Sequence, residues 1–413
     1  MENWKKILVE ELKVGMYISD MNAPYMDYPF FRTRFMIKDD ETIEKIKSSG
    51  IRSVYIDPSK GIDAPHALTY LSINEKIKEM MENIVTKDNG TKESSKREIT
   101  FVLKEMPAAK KTHEEAVTKI HSILDEARSG GEIEVKDAMS TAVQLADSVI
   151  RCPEAVHLIC RIKDKDNYTF QHSVSVCSLL VAFCNLTGFD RESIYSAAIG
   201  GLLHDIGKAK IDDKILKKPG RLTSQEFEIM KTHVEEGRKI LDKIENIPEI
   251  AKHIAYEHHE RYDGSGYPAG LKGDKISKIG RMVAICDVYD ALSSVRVYHN
   301  ALIPHEALRK IFEWSDFQFD KVLVEKFVHM MGIYPVGTLV MLESGFVSVV
   351  LQQNGDSLLK PVIRTFYDAF AKRFVKPVEL DLSKNMSENI TGAISIEDLK
   401  LDVNPMNMLL MTA

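Results

Sequence analysis

Residues 167–189 run for roughly six helical turns without a single Lys, Arg, Asp or Glu. Such a stretch has to be withdrawn from water, either in a bilayer or at the centre of a helical domain. Gln171, His172, Ser173, Ser175, Ser178 and Asn185 decide between the two. A span wants about 20 predominantly apolar residues, and polar side chains facing hydrocarbon are costly. The stretch is therefore predicted to be a buried core helix rather than a membrane span, and it takes a histidine inside with it.

The chain is 413 residues long, which at about 100–200 residues per domain implies two to four domains. Hydrophobic residues make up 44% and charged residues 28%, enough apolar material for a core. The formal net charge of -6 argues against a DNA or RNA polymer held by bulk charge, though not against a local basic pocket. The five cysteines form no CxxC pair, so neither a disulfide framework nor a thiolate zinc site is indicated. They fit a reducing compartment. Residues 1–11 offer no apolar core of a secretory signal, and a cytoplasmic location is expected.

Residues 1–65 read as a small α+β domain. A strand over 34–38 is followed by N-cap chemistry at Asp39 and Asp40, a helix over 41–49 stopped by Gly50, and a strand over 51–57. Residues 66–112 are expected to be a linker with partial helix. Helical periodicity dominates 113–333. Val117, Ile120, Leu124 and Ala127 form one apolar stripe, Gly130 and Gly131 interrupt it, and Val135, Ala138, Ala142, Leu145 and Val149 form a second. This antiparallel pair offers a surface for a homodimer, although core packing is the commoner fate of such stripes. Residues 334–413 turn to short β-prone runs over 339–342, 346–351 and 358–366, separated by Ser344-Gly345 and Asn354-Gly355. The expected fold class is multidomain: a mainly α-helical bundle with a small α+β N-terminal domain and a short C-terminal β-meander.

The chemistry concentrates in the helical region. His204-Asp205 ends an apolar run, where an ionised carboxylate is costly unless paired or bound to metal. His258-His259 is a second adjacent pair. His172, His233 and Asp287 complete a set whose members lie a helix and a loop apart, so that ligands from different helices can converge at the centre of a bundle. A single buried histidine is usually a packed core residue; two adjacent pairs with three partners are hard to explain that way. Imidazoles with carboxylates suit Fe, Mn, Ni or Zn. Seven side chains exceed what one ion needs, which leads to two divalent metals with Asp205 between them. Lys208 follows His204 by one helical turn and can reach a substrate phosphate, and Arg296 is a second candidate phosphate clamp. The loop Asp263-Gly264-Ser265-Gly266-Tyr267-Pro268 directly follows the second histidine pair, and Tyr267 can stack on a base.

His204-Asp205-Ile206-Gly207-Lys208 resembles the HD motif of the HD phosphohydrolase superfamily. His258-His259-Glu260 with Asp263 to Pro268 resembles the signature of its HD-GYP branch, as do Lys218-Pro219-Gly220 and the segment from Asp287 to Leu292. The first 60 residues resemble, more weakly, a domain often found ahead of bacterial HD-GYP modules. The resemblance implies a metal-dependent phosphodiesterase that hydrolyses cyclic di-GMP to linear pGpG and onward to GMP in second-messenger signalling. It implies His172, His204, Asp205, His233, His258, His259 and Asp287 as metal ligands, and Asp205 and Lys208 as catalytic. Lys208, Arg296, Gly266, Tyr267 and Pro268 would contact substrate, and GGDEF-domain proteins would be partners at the Gly-Tyr-Pro loop. Two departures stand out. Tyr168 occupies the position of a Glu that helps some members hold a third metal, and His299 replaces a second basic residue after the arginine. Alternatives are a catalytically weak cyclic-dinucleotide receptor or adaptor, an enzyme preferring another cyclic dinucleotide such as cGAMP, and an HD nucleotidase. The last leaves the Gly-Tyr-Pro loop without a purpose.

Overall fold

Two separate hydrophobic cores divide the chain. The computed structural model describes residues 3–23, 34–87, 99–130, 135–161, 168–218, 220–294, 301–315, 317–354, 357–385, 387–395 and 399. The smaller core belongs to the N-terminal α+β domain. Its antiparallel sheet has the order β1-β4-β2-β3, from Lys5–Leu8 (β1), Tyr17–Asp20 (β2), Phe35–Met36 (β3) and Ser53–Ile56 (β4). Between β3 and β4 lies α1, Asp40–Ser48, capped by the Asp39 carboxylate, which accepts from Thr42 N at 2.8 Å. Gly50 follows in the left-handed region at φ 78°. Alternation along β4 has a consequence for the whole molecule. Val54 and Ile56 point into the domain's own core, whereas Tyr55 points the other way and joins the large helical core.

The larger core is built by α2 (Tyr70–Lys87), α3 (Ile99–Ser129), α4 (Val135–Arg151), α5 (Pro153–Cys160), α6 (Tyr168–Leu186), α7 (Arg191–Leu203), α8 (Asp213–Leu216), α9 (Ser224–Lys231), α10 (His233–Asp242), α11 (Glu249–Glu257), α12 (Lys278–Ser293), α13 (Pro304–Trp314) and α14 (Lys321–Met331). Residues 66–112, expected as a linker with partial helix, carry α2 and the first part of α3. Position 113 falls inside that continuous helix. Ile73, Ile77, Met81, Val102, Met106 and Ala109 are buried with the rest of the bundle. The apolar stripes of α3 and α4, including Ile120, Leu124, Ala142 and Leu145, are also buried within the chain.

The uncharged stretch is α6, and it lies at the centre of the bundle. Among the described residues 169–186 form the one helix long and apolar enough to cross a membrane, and 72% of that window is buried inside the fold. It is apolar on all sides because α4, α5, α7 and α12 pack around it. The C-terminal strands Leu339–Leu342 (β5), Phe346–Gln352 (β6), Val362–Asp368 (β7), Arg373–Asp381 (β8) and Ile390–Ala393 (β9) form an antiparallel sheet of order β8-β7-β6-β5-β9. Four consecutive strands make the expected meander, and β9 returns to pair with β5. Val340, Val347, Val349 and Ile363 extend the bundle core into this sheet.

Candidate metal centre

Helix ends deliver the ligands. His204 caps the C-terminus of α7 and His258 that of α11, His233 opens α10, His172 lies one turn inside α6, and Asp287 lies in the buried middle of α12. Gly207 allows two of these elements to meet. A Cβ there would lie 1.8 Å from the His233 carbonyl oxygen, so only glycine lets the turn after His204-Asp205 rest against α10. The turn from α11 into α12 is tied by Glu257, which accepts from Ser277 N at 2.9 Å and Ser277 Oγ at 2.5 Å.

Three of the imidazoles are oriented by one repeated device. Nδ1 of His204 donates to Gly201 O at 2.8 Å, Nδ1 of His233 to Met230 O at 2.6 Å, and Nδ1 of His258 to Ala255 O at 3.0 Å. With the proton held on Nδ1, Nε2 presents a lone pair to the interior. His172 is fixed differently: its Nδ1 bonds the Asp290 carboxylate at 2.6 Å. Asp290 was not assigned a role from the sequence. Its position three residues after Asp287 on one helix face was the available signal.

The Asp205 carboxylate lies between two groups of donors. Its Oδ1 is 3.4 Å from His233 Nε2 and 3.8 Å from His258 Nε2. Its Oδ2 is 3.3 Å from His204 Nε2 and 3.9 Å from His172 Nε2. Asp287 Oδ1 is 3.0 Å from His172 Nε2, and its Oδ2 is 3.9 Å from His259 Nδ1. Donor atoms within 4.8 Å of one another form the sets His233, His258, His259; His172, His204, Asp287; and His204, Asp205, His258. All seven predicted ligands are thus brought together, and the other described histidines stay outside these sets. Arg296 and His299 lie outside the described residues, as does the side chain of Tyr168.

Electrostatics favours a cation here. His233 Nε2 and His258 Nε2 face each other at 3.3 Å while both Nδ1 protons point outward, so two lone pairs oppose each other. Burial pushes His233 down to about 4; burial, aided by His204, pushes His258 down to about 3. Neither is a ready proton carrier at neutral pH. Burial and His258 also hold His259 well below the ordinary value. Burial opposes ionisation of Asp205, but the charges of Lys208 and His204 hold its carboxyl well below the usual range, and His172 does the same for the buried Asp287. His204 Nε2, Asp205 Oδ1 and both ring nitrogens of His259 are buried with no hydrogen-bond partner among the described residues. Buried polar atoms left unpaired cost about 1–3 kcal/mol each. A divalent cation removes that cost, and the neutral-imidazole and carboxylate set fits borderline transition metals.

Lys208 Nζ bonds Asp205 Oδ2 at 2.5 Å. Of the lysines that follow, Lys210 donates to Ala127 O at 2.5 Å, and Lys217 and Lys218 pair with Asp213 and Glu226. The Gly-Tyr-Pro loop borders the centre at His259. Glu260 accepts from Ala269 N at 2.8 Å and Leu271 N at 2.9 Å, which folds the loop back. A Cβ on Gly266 would come within 2.3 Å of Arg261 N. Tyr267 lies 4.7 Å from the His259 ring, centroid to centroid.

Residues 4–138 match a family described as "Domain of unknown function (DUF3391)", residues 158–323 match "HD domain", and residues 339–402 match "KOW domain associated with HD domain". The chain is 34% identical over 390 residues to the cyclic di-GMP phosphodiesterase PA4108 of Pseudomonas aeruginosa, covering 94% of this chain and 91% of that protein. It is 40% identical over 190 residues to a cyclic di-GMP phosphodiesterase of Vibrio cholerae, covering 42% of this chain and 38% of that one. The 3'3'-cGAMP-specific phosphodiesterase 2 of Vibrio cholerae is 44% identical over 150 residues, 36% of this chain and 28% of that protein.

Proposed function

Because this chain belongs to the HD-GYP family of cyclic-dinucleotide phosphodiesterases, we propose that it hydrolyses cyclic di-GMP in the cytoplasm, opening the ring to linear pGpG and cutting this onward to GMP. The observation that carries the reading is the Asp205 carboxylate, whose two oxygens face two separate donor groups across a buried centre. Two divalent ions are proposed, iron or manganese before nickel or zinc, held by His172, His204, Asp205, His233, His258, His259 and Asp287. When bound, such ions supply Lewis acidity toward phosphoryl oxygens and lower the pKa of water.

The chain's own residues then position and exclude. Lys208, held at Asp205, places a positive charge where negative charge develops on the phosphoryl group. Arg296 is proposed as the second phosphate clamp. Tyr267, whose ring lines the cavity beside His259, offers a face on which a guanine stacks. Gly266 and Pro268 hold that ring against the centre. The three oriented imidazoles keep their Nε2 lone pairs turned inward without a rearrangement at the moment of reaction.

The test is anaerobic purification, elemental analysis, and chromatography of products from cyclic di-GMP, 3'3'-cGAMP and pGpG. Two metals per chain and faster loss of cyclic di-GMP than of the other two are expected. Turnover of cGAMP alone would move the substrate assignment, and a metal-loaded protein inert toward every cyclic dinucleotide would overturn it.

A further inference from the structure

A cavity of about 850 Å³ opens from the metal ligand His259, and its far wall belongs to a different domain. On the near side stand Phe227, Lys231 and Tyr267. On the far side stand Lys47 from the last turn of α1, Gly50, and Arg52 just before β4. The volume lies in the range of pockets that enclose a small molecule, about 300–1,000 Å³. Its charge is one-sided: Lys45, Lys47, Arg52, Lys231 and Arg261 line it, against Glu10 and Glu228. The far wall is a fixed feature. Gly50 approaches the Gly-Tyr-Pro loop so closely that a Cβ would sit 3.0 Å from Ser265 Cβ, and Arg52 Nε is 3.4 Å from Asp263 Oδ2. Deeper in the domain junction, Glu313 on α13 accepts from Tyr55 Oη at 2.7 Å and Asn22 Nδ2 at 3.1 Å, and pairs with Lys6 at 2.7 Å.

We infer that the N-terminal domain is part of the substrate site, with Lys47 and Arg52 holding the distal phosphate of a cyclic dinucleotide whose scissile phosphate lies at the metal centre. The inference rests on the phosphodiesterase reading above and adds the domain that completes the site. A cyclic dinucleotide carries two phosphates across a ring. The metal centre can neutralise only the nearer one, and the cations that the N-terminal domain contributes to the same cavity offer partners for the second. Lys47 is now paired with Glu44 at 2.7 Å, and Lys231 with Glu228 at 2.7 Å. Exposed pairs of this kind are weak and screened by solvent, so a phosphate diester displaces them. Lys231 also lies 5.7 Å from the Tyr267 ring centre and 5.5 Å from that of Phe227. Base-stacking surface and phosphate-binding charge are therefore adjacent.

The experiment compares the metal-loaded full chain with its Lys47→Ala/Arg52→Ala variant on cyclic di-GMP and on bis(p-nitrophenyl) phosphate, a diester with no distal phosphate. KM for cyclic di-GMP should rise about 10- to 100-fold for two lost charge-assisted contacts. Its kcat, the metal content and the rate on the small diester should stay unchanged. Arg52→Lys in the wild-type background, which keeps the charge, should remain within about threefold of wild-type KM. An unchanged KM in the double variant overturns the inference, as does a fall in kcat and metal content together, which would mean that the residues act through the fold. Wild-type protein that cleaves the small diester and no cyclic dinucleotide overturns the functional reading and the inference with it.

Discussion

At the candidate metal centre all seven proposed ligands are buried, and most are held by a second partner, whereas across the cavity Lys47 and Arg52 are 39% and 53% exposed and tied by ion pairs. The two walls serve different ends. A buried donor set arranged before the metal arrives costs folding stability but no reorganisation during the reaction. Exposed lysine and arginine heads cost little to hold and little to move, which suits a surface that must release an anionic product. Changes on one side should therefore read out in metal content and kcat, and changes on the other in KM.

The sharpest break is Asp205→Ala. Removing the carboxylate between the two donor groups should lower activity by about 10³-fold or more and reduce metal content measured by elemental analysis. Full metal content with near wild-type turnover would end the distinction between the walls. Next in size is Glu313→Ala, which strips the buried acceptor at the domain junction. Breaking a buried charge network on one side costs about 3–5 kcal/mol. The N-terminal domain should become protease-sensitive, with KM raised while the metals stay bound; loss of metal before loss of the domain would show the two regions to be one unit. Lys208→Ala belongs to the buried side and should cut kcat about 10²-fold at constant metal content. If activity per bound metal were unchanged, Lys208 would only be holding Asp205.

The smallest effect concerns pH and the metal-free protein. His233 and His258 have folded pKa values pushed by burial to about 4 and about 3, below the ordinary 6.5. The unfolded chain then binds protons that the folded chain refuses, so their stabilising contribution is complete above 6.5 and is lost as pH falls toward 4. Lowering pH from 7 to 5.5 should cost about 1 kcal/mol per imidazole in denaturant titrations of the apo form. Burial opposes protonation of His204, but the charge and hydrogen bond of Asp205, the charge of Asp287 and the Gly201 carbonyl together shift it the other way, and it offsets part of the loss. Metal should steepen this profile, since ligated imidazoles, His204 included, take up no protons in the folded state while the unfolded chain still does.

The buried wall was legible in the sequence and the exposed wall was not. Histidine and aspartate in apolar runs are anomalous wherever they occur, so His204-Asp205 and His258-His259 announced themselves, and spacing added His172, His233 and Asp287. Lys47 and Arg52 look like ordinary surface charges, and more than 200 residues separate them from His259. Only the fold makes them neighbours. The same contrast holds for secondary structure. Around β3, α1 and β4 a cap at Asp39 and a stop at Gly50 punctuate the chain, and the elements were expected where they lie. The strand β1 begins with two lysines and shows little alternation, and β2 is a short run of four residues. In α2 the stripe Ile73, Ile77, Met81 lies between the turn-rich residues 59–65 and the polar run 86–96 with Asn89-Gly90, and those flanks read as a linker.

Glu313 bears on how such a chain can be inherited. Sequence families divide it into parts that look interchangeable, one covering 4–138 and another 158–323. Yet a carboxylate from the second part is neutralised by Lys6 and hydrogen-bonded by Asn22 and Tyr55 from the first. A transplanted N-terminal partner lacking those three side chains would leave the carboxylate to Arg309 of its own helix, at 3.4 Å, and strip the seam of its bonds between the two parts. Gene fusion can join the pieces freely, but only lineages that carried both halves together, or repaired the seam afterwards, would keep the two parts tied at Glu313.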